Sequence, residues 1–206
     1  MQVLVWSDYI CPWCYLGRDR NALMTSLGVK VSQFPFELHP DLPPEGRAVR
    51  QRGRLAAVYD LIALECAESG MPFRAPTHVP NSRLALETSE VVRLGWPDAF
   101  AALDRLLFEA HFVTGLDIGD QLVINALVDA AGAPTDEVYG AVDAALGRAA
   151  VNASIEVARE HGIAATPAWL FGNDFVVPGV QPRDLFERVI TRLRARTGET
   201  PAEPGA

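Results

Sequence analysis

Two of the three cysteines in this chain, Cys11 and Cys14, stand two residues apart in the run Ser7-Asp8-Tyr9-Ile10-Cys11-Pro12-Trp13-Cys14-Tyr15. That spacing matters if a helix starts between them. Cys11 then occupies the N-cap, and Pro12 falls in the first turn, where its missing N–H is no loss. Free N–H groups and the positive end of the helix dipole stabilise a thiolate at that place. A first cysteine so placed commonly has its pKa lowered from ~8.5 to between ~3.5 and ~7.5. Cys14, one turn on and on the same face, can attack a mixed disulfide formed at Cys11 and release the bound partner. The chemistry on offer is dithiol–disulfide exchange.

Two plainer readings compete with it. A closed zinc site needs four ligands, and Cys66 with four scattered histidines gives no second pair at ligand spacing, so no metal is expected. Cys11 and Cys14 could also be inert buried thiols, but a chain with three cysteines has little structural reason to put two at a helix start. Cys66 itself shares a helical stripe with Leu55, Val58 and Ile62 and reads as a buried, unreactive thiol.

The elements around the pair support the first reading. Val3-Leu4-Val5-Trp6 carries β-branched and aromatic residues without alternation, as a buried strand does, and Leu16, Leu23 and Leu27 continue the chain at helical spacing. Gly28 stops that helix, and residues 29–38 read as a second strand parallel to the first, with Pro35 marking an edge or a bulge. From Arg47 to about Gly162 the pattern predicts five or six helices and no confident strand. Within it, Asn81 is expected to cap one helix, Pro97 to open the next, and Leu122, Ala126, Leu127 and Ala130 to face inward on another. Strand signals return at Ala168-Trp169-Leu170-Phe171 and Phe175-Val176-Val177, with Gly172-Asn173-Asp174 as the turn, followed by a last helix from Arg183. The tail from Thr200 is expected to fray.

The layout is therefore an α/β thioredoxin fold, βαβ then ββα, with a large all-helical insertion. Its parts are residues 1–46, 47–149 and 150–206. The insertion is expected to cover the cysteine pair and to set access to it. Thr166-Pro167 stands just ahead of the returning strand, and a cis bond there is expected, since an X-Pro bond adopts cis at little cost. In thioredoxin folds the cis-proline loop faces the cysteine pair and offers backbone groups to an extended substrate.

Other residues carry less. Asp8 could move a proton to or from Cys14, or be a solvated carboxylate at a strand end. Trp13, between the cysteines, reads as an apolar rim for substrate. His39 could lie near the site or be a solvated loop histidine. The net charge of −8 argues against nucleic acid and anionic membranes as partners. The N-terminal stretch has no signal-peptide pattern and no apolar run is long enough to span a bilayer, so a cytoplasmic protein is expected.

Cys11-Pro12-Trp13-Cys14-Tyr15-Leu16-Gly17, Pro35-Phe36-Glu37-Leu38-His39-Pro40, Pro43-Pro44-Glu45-Gly46, Phe112 with Gly115-Leu116-Asp117-Ile118, and Gly179-Val180-Gln181-Pro182 resemble the FrnE-like branch of the DsbA family. The resemblance runs nearly end to end. It implies protein-disulfide oxidoreductase activity at Cys11, Cys14 and Pro167, with Trp13, Thr166, Gln181 and His39 on the substrate side. Expected partners are protein or small-molecule thiols and disulfides, with no bound cofactor and glutathione as a candidate co-substrate. The chain departs from the branch at His39, often Asn there, and at Ala165-Thr166-Pro167, often Gly-Val-Pro. The same superfamily holds glutathione-using 2-hydroxychromene-2-carboxylate isomerases and kappa-class transferases, which place serine at the Cys11 position. That is the second reading, and a non-catalytic binding module or chaperone is the third.

Overall fold

The computed structural model describes residues 1–172 and 175–197. Its centre is a mixed four-stranded sheet in the order β2-β1-β5-β6. These strands are β1 (Gln2–Ser7), β2 (Lys30–Pro35), β5 (Ala168–Phe171) and β6 (Phe175–Pro178). β1 pairs parallel with β2 and antiparallel with β5, and β5 continues antiparallel into β6. β1 lies inside the sheet, which is why its residues lack alternation, while β2 is an edge strand and tolerates Pro35 at its end.

Each face of the sheet is covered. Val3, Val5, Trp169 and Phe171 pack with Leu23 and Met24 of α1 (Pro12–Ser26) and with Phe186 and Ile190 of α8 (Arg183–Thr197). Trp6, Ala168 and Leu170 point the other way, against Ala158 of α7 (Leu146–Glu160) and Ile163. Trp6 Nε1 donates to the Ser154 carbonyl at 3.1 Å and Ser154 Oγ to the Pro35 carbonyl at 2.7 Å, so α7 is pinned to the sheet by polar bonds as well as packing.

Between β2 and α7 stands the helical part. It comprises α2 (Arg54–Glu68), α3 (Arg83–Gly95), α4 (Pro97–Glu109) running into a π-helical turn at Ala110–Thr114, α5 (Gln121–Ala130) and α6 (Thr135–Asp143). Its apolar core, with Ile62, Leu86, Leu103, Leu107, Phe108 and Phe112, is continuous with Cys11, Cys14, Tyr15 and Leu16. Start signals act as their chemistry dictates. Asp120 accepts from the N–H groups of Leu122 and Val123 and Pro97 is the first residue of α4, whereas the N-cap of α3 is Ser82, one residue after the expected Asn81, whose Oδ1 accepts the Arg83 N–H at 2.9 Å.

The structure corrects several expectations. Two short strands, β3 (Arg47–Ala48) and β4 (His78–Val79), pair antiparallel where only helices were predicted. Two residues are too few to leave a period in the sequence. Leu55 is 41% exposed, and the buried stripe of α2 is Tyr59, Ile62 and Cys66. Leu122 is 78% exposed, because α5 turns Ile124 and Val128 inward instead. The turn residues Asn173 and Asp174 and the tail from Thr200 lie outside the described residues.

Gly147 explains how α7 reaches its place. A Cβ there would overlap the carbonyl, C and Cα of Glu87, all backbone atoms of α3. The two helices therefore cross at near-backbone contact. Around the crossing, Arg83 pairs with Glu37 at 2.9 Å and with Glu87 at 2.6 Å, and Arg148 reaches Glu87 at 3.4 Å. Gly147→Ala is expected to destabilise the protein by about 3 kcal/mol, the upper part of the overpacking range, because backbone cannot swing aside. Urea unfolding of the variant checks this, and a loss under about 1 kcal/mol would mean that α7 can slide along α3.

Candidate active site

The turn after β1 is held before any cysteine chemistry begins. Cys11 N–H donates to the Asp8 carbonyl at 3.1 Å. Tyr9, between them, donates its hydroxyl to Asp104 at 3.1 Å and shares a 2.6 Å hydrogen bond with Ser89 Oγ, so α3 and α4 grip the turn. Cys11 has the extended N-cap conformation (φ −84°, ψ 113°), Pro12 follows as the first helical residue, and the Cys11 carbonyl accepts the N–H groups of Cys14 and Tyr15 at 3.0 and 3.1 Å. The placement expected from the sequence is the one observed.

The opposing wall is Thr166-Pro167, a cis bond, with the Thr166 carbonyl 3.6 Å from Cys11 Sγ. Gly17 permits the approach. A Cβ there would come within 3.2 Å of the Trp169 ring and 3.6 Å of Pro167 Cγ. Trp169 has no room to give way, being fully buried with Nε1 donating to Asn21 Oδ1 at 2.7 Å. Gly179 N–H donates to the Pro167 carbonyl at 2.8 Å and fixes the loop from β6.

Cys11, Cys14 and Cys66 are all free thiols. Burial alone pushes the Cys11 pKa up, since its residue is only 4% exposed. The Cys14 thiol, the nearby Thr166 side chain and the Cys14 N–H together outweigh burial and bring it below the ordinary thiol value. Cys14 moves the opposite way. Burial and its bond to the Cys11 sulfur hold its proton, and its pKa rises well above normal. One sulfur that ionises more readily than an ordinary thiol, beside one that holds its proton, is the division of labour that exchange requires. The Thr166 hydroxyl is buried with no aligned partner in this geometry, yet it favours ionisation of both sulfurs. A hydroxyl hydrogen rotates freely, so it can serve whichever sulfur carries charge.

Asp8 is fully buried, which corrects the solvated alternative. Burial raises its pKa to about 6 against the pull of the Leu38 N–H (2.7 Å), the Ser82 hydroxyl and the Ile10 N–H (3.3 Å). It thus ties the loop after β2 to the cysteine turn, and its charge opposes that of Cys11. Trp13 is half-buried against the helical core. His39 is exposed on the loop after β2, and among the described residues its side chain makes no bond to the pair. Gln181 is also set apart. Its side chain donates to the Pro178 carbonyl at 2.9 Å, and its own carbonyl accepts Arg20 Nε at 3.0 Å. Cys66 is fully buried, and burial lifts its pKa to about 11, as befits an inert thiol.

One neighbour was missed by the sequence reading. Tyr59 of α2 is buried, and burial followed by the negative charge of Cys11 raises its pKa. Its signal was its place three and seven residues before Ile62 and Cys66, on the stripe wrongly assigned to Leu55.

A family model described as DSBA-like thioredoxin domain matches residues 2–191. The uncharacterized protein YwbO of Bacillus subtilis (strain 168) is 24% identical over 195 residues, spanning 93% of this chain and 96% of its own. Among solved structures, the probable DsbA oxidoreductase SCO1869 from Streptomyces coelicolor is similar with a TM-score of 0.85 and 23% identity, over 98% of this chain and 93% of that one. The cytosolic disulfide reductase DsbM from Pseudomonas aeruginosa, solved with GSH, gives a TM-score of 0.66 and 19% identity, over 94% of this chain and all (100%) of its own. At these identities the likeness is one of fold.

Two outcomes are expected. Thr166→Val raises the Cys11 pKa, because it removes a side chain that favours the ionised sulfur. Thiolate absorbance against pH checks it, and an unchanged titration would free the hydroxyl of this role. For Asp8 the folded protein keeps a proton that the unfolded chain loses between pH ~4 and ~6, so this group costs stability as pH rises through that window. The unfolding free energy of Asp8→Asn, relative to the unchanged protein, therefore gains about 2 kcal/mol between pH 4 and pH 7. A pH-independent difference in urea unfolding would show that Asp8 titrates no differently in the fold.

Proposed function

The chain belongs to the DSBA-like thioredoxin domain family, and from that premise we propose that it exchanges disulfides through Cys11 and Cys14. One observation carries the reading: Cys11 Sγ sits at the start of α1, 3.6 Å from the Thr166 carbonyl, with its pKa lowered while that of Cys14 is raised.

The Cys11 thiolate attacks one sulfur of a substrate disulfide. A Cys11–substrate disulfide forms, the substrate S–S bond breaks, and the second substrate sulfur leaves as a thiolate. Cys14 then loses its proton and attacks Cys11 Sγ, releasing the first substrate sulfur and leaving a Cys11–Cys14 disulfide. Two electrons pass to the substrate, and the reverse sequence oxidises a substrate dithiol. We assign receipt of the Cys14 proton to Asp8, a buried carboxylate near neutrality whose charge bears on the pair. Thr166 and Pro167 present the backbone against which the substrate lies, with Trp13 as its apolar edge.

The near-complete burial of Cys11 favours small or extended disulfides over those on folded protein surfaces. Glutathione fits that class as co-substrate, and a reducing, cytoplasmic setting would suit it. DsbM, similar in fold, was solved with GSH. Glutathione-dependent isomerisation needs neither cysteine, and a purely binding module has no use for an asymmetrically ionised pair.

Cys14→Ser is expected to accumulate mixed disulfides at Cys11 that vanish on reduction, while Cys66→Ser exchanges at the original rate. Mass spectrometry after incubation with glutathione disulfide reads both. Rates with glutathione disulfide are expected to exceed those with insulin at least tenfold, and the reverse order would put the substrate on an open surface. Failure of Cys14→Ser to trap any adduct would remove the exchange reading itself.

A further inference from the structure

A polar hollow lies away from the cysteines, where β4, the segment before it and the π-helical turn at Ala110–Thr114 meet. It is a cavity of about 310 Å³ with Arg74, Thr77, His78, His111 and Asp117 among its lining residues. Sequence spacing gave no reason to group the two histidines, 33 positions apart. The β3–β4 pair and the π-helical turn bring them to one wall. π-helical turns are rare and often sit at functional places, because the extra residue re-aims a side chain.

One buried ring nitrogen there has no partner, a second has only a long contact to a carboxylate, and an exposed guanidinium stands beside them. His111 is 3% exposed, and its Nε2 is buried without a hydrogen bond. His78 Nε2 is likewise buried and unbonded, although the Asp117 carboxylate lies 3.5 Å away. The Arg74 guanidinium makes no side-chain hydrogen bond or ion pair among the described residues, while its backbone N–H is fixed to the Phe112 carbonyl at 2.7 Å. Buried polar atoms left unpaired are uncommon, and each calls for an account. Gly115 lines the cavity, and a Cβ there would reach 3.3 Å from Arg74 Nη1.

We propose that this cavity binds a small organic monocarboxylate, held by Arg74 and by the Nε2 groups of His111 and His78. The planar guanidinium fork matches a carboxylate. Burial and the neighbouring His78 push the His111 pKa down to about 4, so His111 is neutral near pH 7 and has one N–H to donate. Pro76 and Leu116 give the cavity an apolar side, which suits a carbon skeleton better than inorganic phosphate. Asp117 at the rim opposes a second negative charge. A metal ion fits poorly beside an unpaired arginine, and no group of three His, Cys, Asp or Glu among the described residues could hold one.

The site is separate from the cysteine pair, to which it connects through the rings of Phe112, Phe73 and Tyr15. The test uses the full chain, with NMR of the histidine ring C–H groups during titration with acetate, propionate, benzoate and inorganic phosphate. At least one monocarboxylate is expected to shift His111 and His78 saturably, with at least a tenfold loss of affinity in Arg74→Gln. That arginine is exposed, so the variant should fold even if His111→Phe does not. Disulfide-exchange rates should be unchanged in Arg74→Gln. Absence of saturable shifts with every carboxylate, equal affinity in Arg74→Gln, or tighter binding of phosphate than of any carboxylate would overturn the proposal.

Discussion

The antiparallel pairing of β1 with β5, from Val3 opposite Phe171 to Trp6 opposite Ala168, joins the two ends of the chain. On it depends the contact between Cys11 and Thr166, 155 residues apart in sequence. Closing so long a loop costs conformational entropy, which grows only slowly with length, and the buried apolar area on both sheet faces offsets it. Val3, Val5, Trp169 and Phe171 on one face and Trp6, Ala168 and Leu170 on the other are the residues that supply that area. The site inherits its precision from the sheet and from Gly17, whose missing side chain lets α1 settle against Trp169 and Pro167.

Burial then becomes the condition under which the chemistry works. In a low-dielectric core a charge without partners is costly, so the two thiols and Asp8 cannot all ionise at their ordinary values. The fold resolves the competition unequally. Hydrogen-bond donors converge on Cys11, Cys14 keeps its proton, and burial lifts the Asp8 pKa to about 6 even though three donors point at it. Tyr59 and Thr166 come to this cluster from opposite parts of the chain, so the helical part contributes to the electrostatics of the pair as well as to its cover.

That helical part is not an independent appendage. Its core is continuous with Cys11, Cys14 and Tyr15, and α7 packs on α3 while its polar bonds hold the sheet. Gly147 is the point where this becomes strict, because the helices approach until backbone meets backbone. Motion of the helices relative to the cysteine pair would have to break that crossing or rearrange the aromatic cluster of Tyr15, Phe73, Phe108 and Phe112.

The sequence by itself determined the strand–cysteine–helix start, the N-cap position of Cys11, the returning strands and the cis Thr166-Pro167 ahead of them. These are local signals: Pro12 just inside a helix, β-branched and aromatic runs, and a proline where a ladder donor would be missing. Helix stripes were legible where they were long and wrong where apolar residues were plentiful, as with Leu55 and Leu122, since composition cannot say which of two apolar faces meets the core. The burial of Asp8, the approach of Tyr59 to Cys11, the backbone crossing at Gly147 and the meeting of His78 with His111 were decided only by tertiary structure. Each depends on a distance between segments far apart in the chain, and periodicity along one segment carries no information about that distance.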